Sequence, residues 1–127
     1  TFHGMHSRGF QNAFFFGPAQ SGFTATYTYS LDEQSVHLAH ILGKARERGA
    51  NRIEASERAE TEWVKTIIEK ARLTADFQEK CTPGYYNNEG NVNTKPQNNT
   101  YGGGPIEFFG LMEKWRDQGN LDGLELT

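Results

Sequence analysis

The densest apolar run in the chain is only four residues long, Ala13-Phe14-Phe15-Phe16, and it sets the main constraint on the fold. A short continuous apolar run between turn signals predicts a strand buried on both faces. Gly17-Pro18 stops the run, because proline cannot donate to a ladder and Gly-Pro favours a turn. Such a strand needs a sheet around it, and the sequence offers few partners. Residues 20–29 interleave Thr24, Thr26 and Thr28 with Ala25, Tyr27 and Tyr29. By period that stretch is a strand; by position it is an irregular lead into the next helix. Leu121, Leu124 and Leu126, set among polar residues, predict a short terminal strand. The expected fold class is therefore mainly α with a few short strands, an α+β arrangement.

Helices must then carry most of the core. Ser30 with Glu33 three residues on forms a capping-box pattern and opens the first helix. Its predicted inner stripe is Leu31, Leu38, Leu42 and Ala45, with Gln34 and Ile41 beside it, and Gly49 closes it. Gly43 in its interior marks close packing or a weak spot. Ser56 caps the second helix, whose stripe is Ala59, Trp63, Val64, Ile67, Ile68 and Ala71, with a possible continuation to Phe77. Arg58/Glu62 and Lys65/Glu69 are i,i+4 pairs on its wet side. The third helix opens at Pro105, a favoured first helical residue, and ends at Gly119. Its stripe is Phe108, Phe109, Met112 and Trp115. Residues 81–104 form a long Asn-, Gly- and Pro-rich loop with specified ends and a mobile middle at 89–99. Structureless loops beyond about 12–15 residues are usually functional or disordered.

A length of 127 residues suits one domain, and the mean hydropathy of −0.73 is wetter than usual. Aromatics at 13% nevertheless argue against disorder. A net charge of −3 gives no basic field for nucleic acid. The lone Cys81 excludes an internal disulfide framework and fits a reducing, cytoplasmic compartment. The apolar run is too short for a membrane span or a signal core. The chain opens on Thr1 rather than Met, in mid-pattern, as the edge of something longer.

Few residues point to chemistry unaided. Glu33, His37 and His40 share a helix face at ligand-like spacing, but no His-Glu-x-x-His and no Cys partner accompanies them. They read as surface or interface histidines, as do His3 and His6, and no metal is expected. Cys81 reads as a buried inert thiol. Gly102-Gly103-Gly104-Pro105 opens a helix but matches neither phosphate-binding glycine pattern, so it reads as a turn. The loop at 17–24 follows the predicted strand. Ligands in open α/β sheets sit beyond the carboxyl ends of strands, which makes this loop the best positional candidate.

Longer blocks carry a resemblance. Gly9-Phe10-Gln11-Asn12-Ala13-Phe14-Phe15, Gln20-Ser21-Gly22-Phe23-Thr24, and Asp32-Glu33-Gln34-Ser35 with Ala39-His40-Ile41 resemble the closing part of the FAD domain of Baeyer–Villiger-type flavin monooxygenases. Glu54-Ala55-Ser56 through Glu62-Trp63-Val64 resembles the helix that follows. Cys81-Thr82-Pro83-Gly84-Tyr85-Tyr86-Asn87-Asn88-Glu89-Gly90 and Tyr101-Gly102-Gly103-Gly104-Pro105-Ile106-Glu107-Phe108-Phe109 look like the branch related to cyclopentadecanone and 4-hydroxyacetophenone monooxygenases.

The resemblance implies an enzyme in which NADPH reduces FAD, reduced flavin captures O2, and a ketone becomes an ester or lactone. Neither Rossmann G-x-G-x-x-G fingerprint is present, and Phe2-His3-Gly4 starts the family's F-x-G-x-x-x-H signature only to end on Arg8. The chain therefore reads as the C-terminal fragment of a two-dinucleotide-domain α/β flavoprotein. Residues 1–49 would supply the closing strand and helix of the FAD-binding domain, and 50–127 a C-terminal helical region. The resemblance assigns Gln20, Ser21, Gly22, Phe23 and Thr24 to cofactor binding, and Phe23 and Tyr27 to the substrate pocket. It assigns Pro83, Gly84, Tyr85, Tyr86 and Asn87 to the NADP-side loop; a Trp usual upstream of that loop is replaced by Asp76-Phe77. No catalytic residue is carried over. Alone, the chain is expected to hold neither FAD nor NADPH, to lack its N-terminal FAD and NADP domains, and to self-associate through bare apolar surface. The alternative reading is a non-enzymatic helical interaction module presenting Trp63, Phe108, Phe109 and Trp115 to a partner.

Overall fold

Helix α1 (Tyr27–Glu47) buries its polar face. Ser30, Gln34, His37, Ile41 and Ala45 point inward, whereas Leu42 is 45% exposed and Leu31 and Leu38 are only half buried. Of the expected stripe Ala45 is buried, with the flanking Gln34 and Ile41, while the three leucines are turned away from the core. The reason lies outside the helix: the loop before it and the aromatic rings of the last helix supply partners for Gln34 and His37. The helix also starts earlier than the capping box predicted. Thr26 is its N-cap, with no side-chain cap bond, and Ser30 lies buried one turn inside. Gly43 faces open space rather than a close neighbour.

The computed structural model describes residues 1–71, 79–91 and 95–127 and is mainly helical. After α1 come strand β1 (Ile53–Ala55), helix α2 (Glu57–Ala71), 3-10 turns at Tyr85–Gly90 and Pro96–Asn98, helix α3 (Pro105–Gln118) and strand β2 (Leu124–Leu126). β1 and β2 pair antiparallel, with Ile53 opposite Leu126 and Ala55 opposite Leu124. The terminal strand was expected; its three-residue partner is too short to leave a periodic signal.

In α2, the Ser56 hydroxyl accepts the Ala59 amide at 3.2 Å, and Glu57 and Glu60 occupy the first turn, where the helix dipole favours them. Ala59, Trp63, Ile67 and Ala71 face inward. The continuation to Phe77, and the neighbourhood of Asp76, lie outside the described residues. In α3, Pro105 sits in the first turn and Gly119 closes the helix in the left-handed region (φ 66°), with Phe108, Met112 and Trp115 inward. Of the loop middle expected to be mobile, residues 92–94 lie outside the described ones, while Pro96–Asn98 packs on α2.

The expected strand at 13–16 is not formed. These residues run irregularly, and Phe15 and Phe16 are each 45% exposed. A strand needs a neighbour, and among the described residues none lies beside it. Phe15 N–H donates to Met5 C=O, and the Phe14 ring meets His6 edge-on at 5.5 Å. Residues 20–26 are irregular as well, so the strand reading of 20–29 also fails. The segment before them is tied to the sheet instead. Asn12 N–H donates to Ile53 C=O and Ile53 N–H to Asn12 Oδ1, both at 2.9 Å. Arg8 pairs with Glu125 at 2.7 Å and reaches the Ala55 carbonyl.

One core joins both halves of the chain. Phe2, Ile41, Ile53, Trp63, Ile67, Met112, Trp115 and Leu121 all belong to it. Trp63, Phe108 and Trp115 are buried, and Phe109 is half buried, so the aromatic surface that the interaction-module reading requires is absent. Cys81 is half buried rather than fully enclosed.

Three histidines expected at the surface also lie in this interior: His3, His6 and His37, with His40 half buried. The His3 ring stacks on Phe2 at 3.7 Å and meets Trp63, Trp115 and His37 edge-on between 5.1 and 5.4 Å. Among the described residues no group hydrogen-bonds His3 Nδ1, His6 Nε2 or either nitrogen of His37. Burial therefore disfavours their protonated forms. It lowers His6 to about 4, and burial, with the Arg116 charge behind it, lowers His37 to about 3. His3 is held well below its ordinary value by burial first, then by His37 and His6.

The unfolded chain binds protons at these sites near pH 6.5 and the folded chain does not, so stability is complete above about 6.5 and lost as pH falls toward 4. Thermal melts of the chain should show a flat melting temperature above pH 7 and a progressive decline below 6.5. Equal melting temperatures at pH 7.5 and 4.5 would contradict the neutral buried cluster.

Candidate functional site

The loop at 17–24 is braced from four sides. From α1, Gln34 Oε1 accepts the Gly17 amide at 3.2 Å, while its Nε2 donates to Gly17 C=O at 2.9 Å and to Ser21 Oγ at 2.8 Å. From α2, Trp63 Nε1–H donates to Gln20 C=O at 3.0 Å. From the segment before α3, Tyr101 N–H donates to Ser21 C=O at 2.9 Å, and Gln20 N–H donates to Asn99 C=O at 2.8 Å. From the N-terminal segment, Gly4 packs so tightly that an added Cβ would lie 2.7 Å from Ser21 Cβ. Gly4 also has φ 73°, so glycine is required there on both counts.

This bracing separates the sequence-predicted site residues into two groups. Gln20 and Ser21 are buried and engaged: Gln20 Nε2 donates to Gln97 C=O at 2.7 Å, and Thr1 donates to Gln20 Oε1. Their side chains hold the loop and are not turned toward solvent. Gly22 lies against the Phe108 ring, which a Cβ would approach to 2.6 Å. Phe23 and Tyr27 are exposed, and the structure brings their rings together at 6.2 Å. Thr24 Oγ1 donates to Thr26 C=O at 2.7 Å. The backbone amides of Gly22 and Thr24 meet no protein acceptor among the described residues. The loop thus exposes two aromatic rings, while Gly22 is buried against Phe108.

The second predicted group is organised by Asn87. Its Oδ1 accepts the amides of Gly84 at 2.8 Å and Gly90 at 3.3 Å, and its Nδ2 donates to the carbonyls of Cys81 and Thr82. Asn87 is thus the internal tie of its turn. Pro83 is exposed, Gly84 half buried, and the side chains of Tyr85 and Tyr86 lie outside the described ones. The loop at 20–24 is tied to the stretch before α3 through Gln97, Asn99 and Tyr101.

Beside the loop lies an open groove of about 470 Å³, lined by Thr24, Tyr29, Glu33, Ile106, Phe109 and Arg116 among others. Arg116 approaches Glu33 at 3.9 Å there. Among the described residues no group of three or more His, Cys, Asp or Glu is gathered for a metal, and no helix is long and apolar enough to cross a membrane. Among the described residues of this face none is a nucleophile beside an activating base. The exposed Phe23 and Tyr27 rings suit contact with a flat apolar group. Sequence reasoning missed Gln34, Trp63 and Tyr101 as the residues that hold the loop. The Asp32-Glu33-Gln34-Ser35 block was the available signal for the first of them.

No family model matches the chain. It is 46% identical over 127 residues to pentalenolactone D synthase of Streptomyces exfoliatus, 99% of this chain and 22% of that protein. It is 34% identical over 128 residues to the FAD-binding monooxygenase hmp7 of Hypomyces subiculosus, 100% of this chain and 21% of that protein. It is also 34% identical to the Baeyer–Villiger monooxygenase ATR8 of Stachybotrys chlorohalonatus, 99% of this chain and 20% of that protein. Among solved structures, the polycyclic ketone monooxygenase of Thermothelomyces thermophila superposes with a TM-score of 0.89 at 28% identity, over 100% of this chain and 21% of that one. The chain spans about a fifth of the length of the relatives it matches.

The bracing of the loop has a direct test. Trp63→Phe keeps a ring against Tyr101, which lies 5.7 Å from the indole, but removes the donor to the buried Gln20 carbonyl. A buried acceptor left unpaired costs about 1–3 kcal/mol. Urea denaturation should show a loss in that range, and an unchanged midpoint would mean that the indole bond contributes nothing.

Proposed function

We propose that this chain works as a segment of a Baeyer–Villiger monooxygenase, the enzyme class to which its relatives belong, and that it contributes one wall of the flavin and ketone site. The observation that carries the reading is the braced loop, which leaves the Gly22 and Thr24 amides without an acceptor among the described residues, next to the exposed Phe23 and Tyr27 rings. The residues present fit one edge of a flavin: two amide donors for an acceptor-rich ring edge, with aromatic surface alongside. They do not fit its pyrophosphate, since the sequence has no glycine fingerprint for one. The rest of the cofactor must be held by chain beyond these residues.

When bound, FAD and NADPH supply the redox chemistry that inserts one oxygen atom of O2 beside a ketone carbonyl, giving an ester or lactone. This chain's share is positional. The Gly22 and Thr24 amides would donate hydrogen bonds to the ring edge, and Gln20 and Ser21 act from behind by fixing the loop. Phe23 and Tyr27 form apolar walls that exclude water from the ketone pocket. Pro83, Gly84, Tyr85, Tyr86 and Asn87 shape the nicotinamide side, with Asn87 as the tie that sets their turn.

Residues 1–49 then complete an FAD-binding domain, and 50–127 form the region after it. The partners are a ketone, O2 and the FAD and NADP domains of the longer polypeptide. Phe15 and Phe16 meet that polypeptide, and the chain on its own self-associates through them. The finer placement in the branch related to cyclopentadecanone and 4-hydroxyacetophenone monooxygenases rests on the 81–90 and 101–109 blocks. The lone half-buried Cys81 accords with a cytoplasmic setting.

The test uses the longer polypeptide that carries this segment, assayed for NADPH oxidation against a panel of ketones with products identified by mass. Ketone-stimulated oxidation with formation of ester or lactone is the expected result. A flavin-loaded polypeptide that shows no ketone stimulation would sink the activity, and a yellow, stoichiometrically flavin-bound isolated chain would show that the rest of the polypeptide is not needed for binding.

A further inference from the structure

We propose that Gln34 is the positioning residue of this site: its buried carboxamide sets the backbone from Gly17 to Ser21 and so fixes how residues 22–24 are presented to the flavin. The inference rests on the reading that this loop meets the flavin edge.

Gln34 is 3% exposed, on a helix whose leucines are more open to water than it is. An uncharged amide buried in this way is costly unless its polar atoms are bonded. A carboxamide has two N–H donors and two acceptor lone pairs. Here both donors and one acceptor site go to the loop, on Gly17 N–H, Gly17 C=O and Ser21 Oγ. All of its hydrogen bonds in the structure therefore reach one short stretch, 13 to 17 residues earlier in sequence. The stretch needs such a hold. Between the two clamped residues Gln20 sits in the left-handed region (φ 57°), which a non-glycine residue rarely adopts unaided. The other braces act on different atoms: Trp63 on Gln20 C=O, and Tyr101 on Ser21 C=O. Loss of the Gln34 donors would free Gly17 C=O and Ser21 Oγ while leaving those braces in place.

The test is made in the longer, flavin-loaded polypeptide. Gln34→Glu is nearly isosteric and keeps an acceptor for Gly17 N–H, but its carboxylate has no donor for Gly17 C=O, and Ser21 Oγ must turn from acceptor to donor to reach it. Three readouts are compared with wild type: hydrogen exchange of the peptide covering 13–24, visible circular dichroism of the bound flavin, and melting temperature. The expected result is retained flavin, exchange in 13–24 faster by about tenfold, roughly one lost hydrogen bond, and an altered flavin dichroism. Exchange elsewhere should stay near wild type, while the melting temperature falls, as the loss of a buried hydrogen bond requires. Ser21→Ala, which removes one partner of the clamp with little change in bulk, should reproduce a smaller version of both local changes, and it decides the matter if Gln34→Glu fails to fold. Faster exchange with wild-type flavin dichroism would overturn the proposal, as would exchange that rises uniformly over the chain. A wild-type polypeptide that binds no flavin would instead overturn the proposed function, an outcome visible before any variant is made.

Discussion

Trp63 carries one hydrogen bond and three ring contacts that tie together stretches far apart in sequence. Its indole N–H holds the Gln20 carbonyl, its face stacks on Tyr101 at an interplanar angle of 10°, and its edges meet His3 and Phe108. The N-terminal segment, the 17–24 loop, α2, the segment before α3 and α3 itself all converge on this one side chain. An indole suits the position because its apolar body fills the core while its single donor satisfies a carbonyl that is otherwise buried. The loop therefore takes its shape from the helical core, with no sheet beneath it.

The polarity of α1 follows from the same convergence. A helix normally turns its apolar stripe inward, because apolar burial at about 25 cal/mol per Å² is the main favourable term. Here Gln34 and His37 occupy the inner face, and α3 supplies the compensating contacts: His37 lies 5.0 Å from Trp115, ring to ring. Leu42 and Val36 are left outside. The chain tolerates that exchange because the inner face of α1 serves the loop as much as the core.

Parts of this arrangement were legible in the sequence for physical reasons. α2 was legible because Ala59, Trp63, Ile67 and Ala71 recur at helical spacing behind a serine cap, and each of those signals is local; Val64 and Ile68, expected on the same stripe, lie half buried and exposed at its margin. α3 was equally plain between Pro105 and Gly119. The face of α1 was not legible. Ser30, Gln34, His37, Ile41 and Ala45 have the same i,i+3 and i,i+4 spacing as the leucine stripe, and periodicity alone favours the greasier set. What reverses the choice is a set of bonds to Gly17 and Ser21, invisible to any window along the helix. The run at 13–16 failed for the complementary reason: its composition is that of a strand, but a strand is made by its neighbour. Of the candidate site, the loop itself was legible through its likeness to a family, whereas the division into inward Gln20 and Ser21 and outward Phe23 and Tyr27 required the fold.

The bonds between Asn12 and Ile53 have a consequence for the chain's behaviour in a crowd. β1 is an outer strand, and the groups of Ile53 that do not face β2 are those a foreign strand would seize. Asn12 takes both, the carbonyl with its own amide and the amide with its side-chain oxygen, while Arg8 covers the carbonyl of Ala55. A single residue in the left-handed conformation (φ 57°) thus stands in for a third strand. It closes the ladder on the β1 side, where a foreign strand could otherwise extend it.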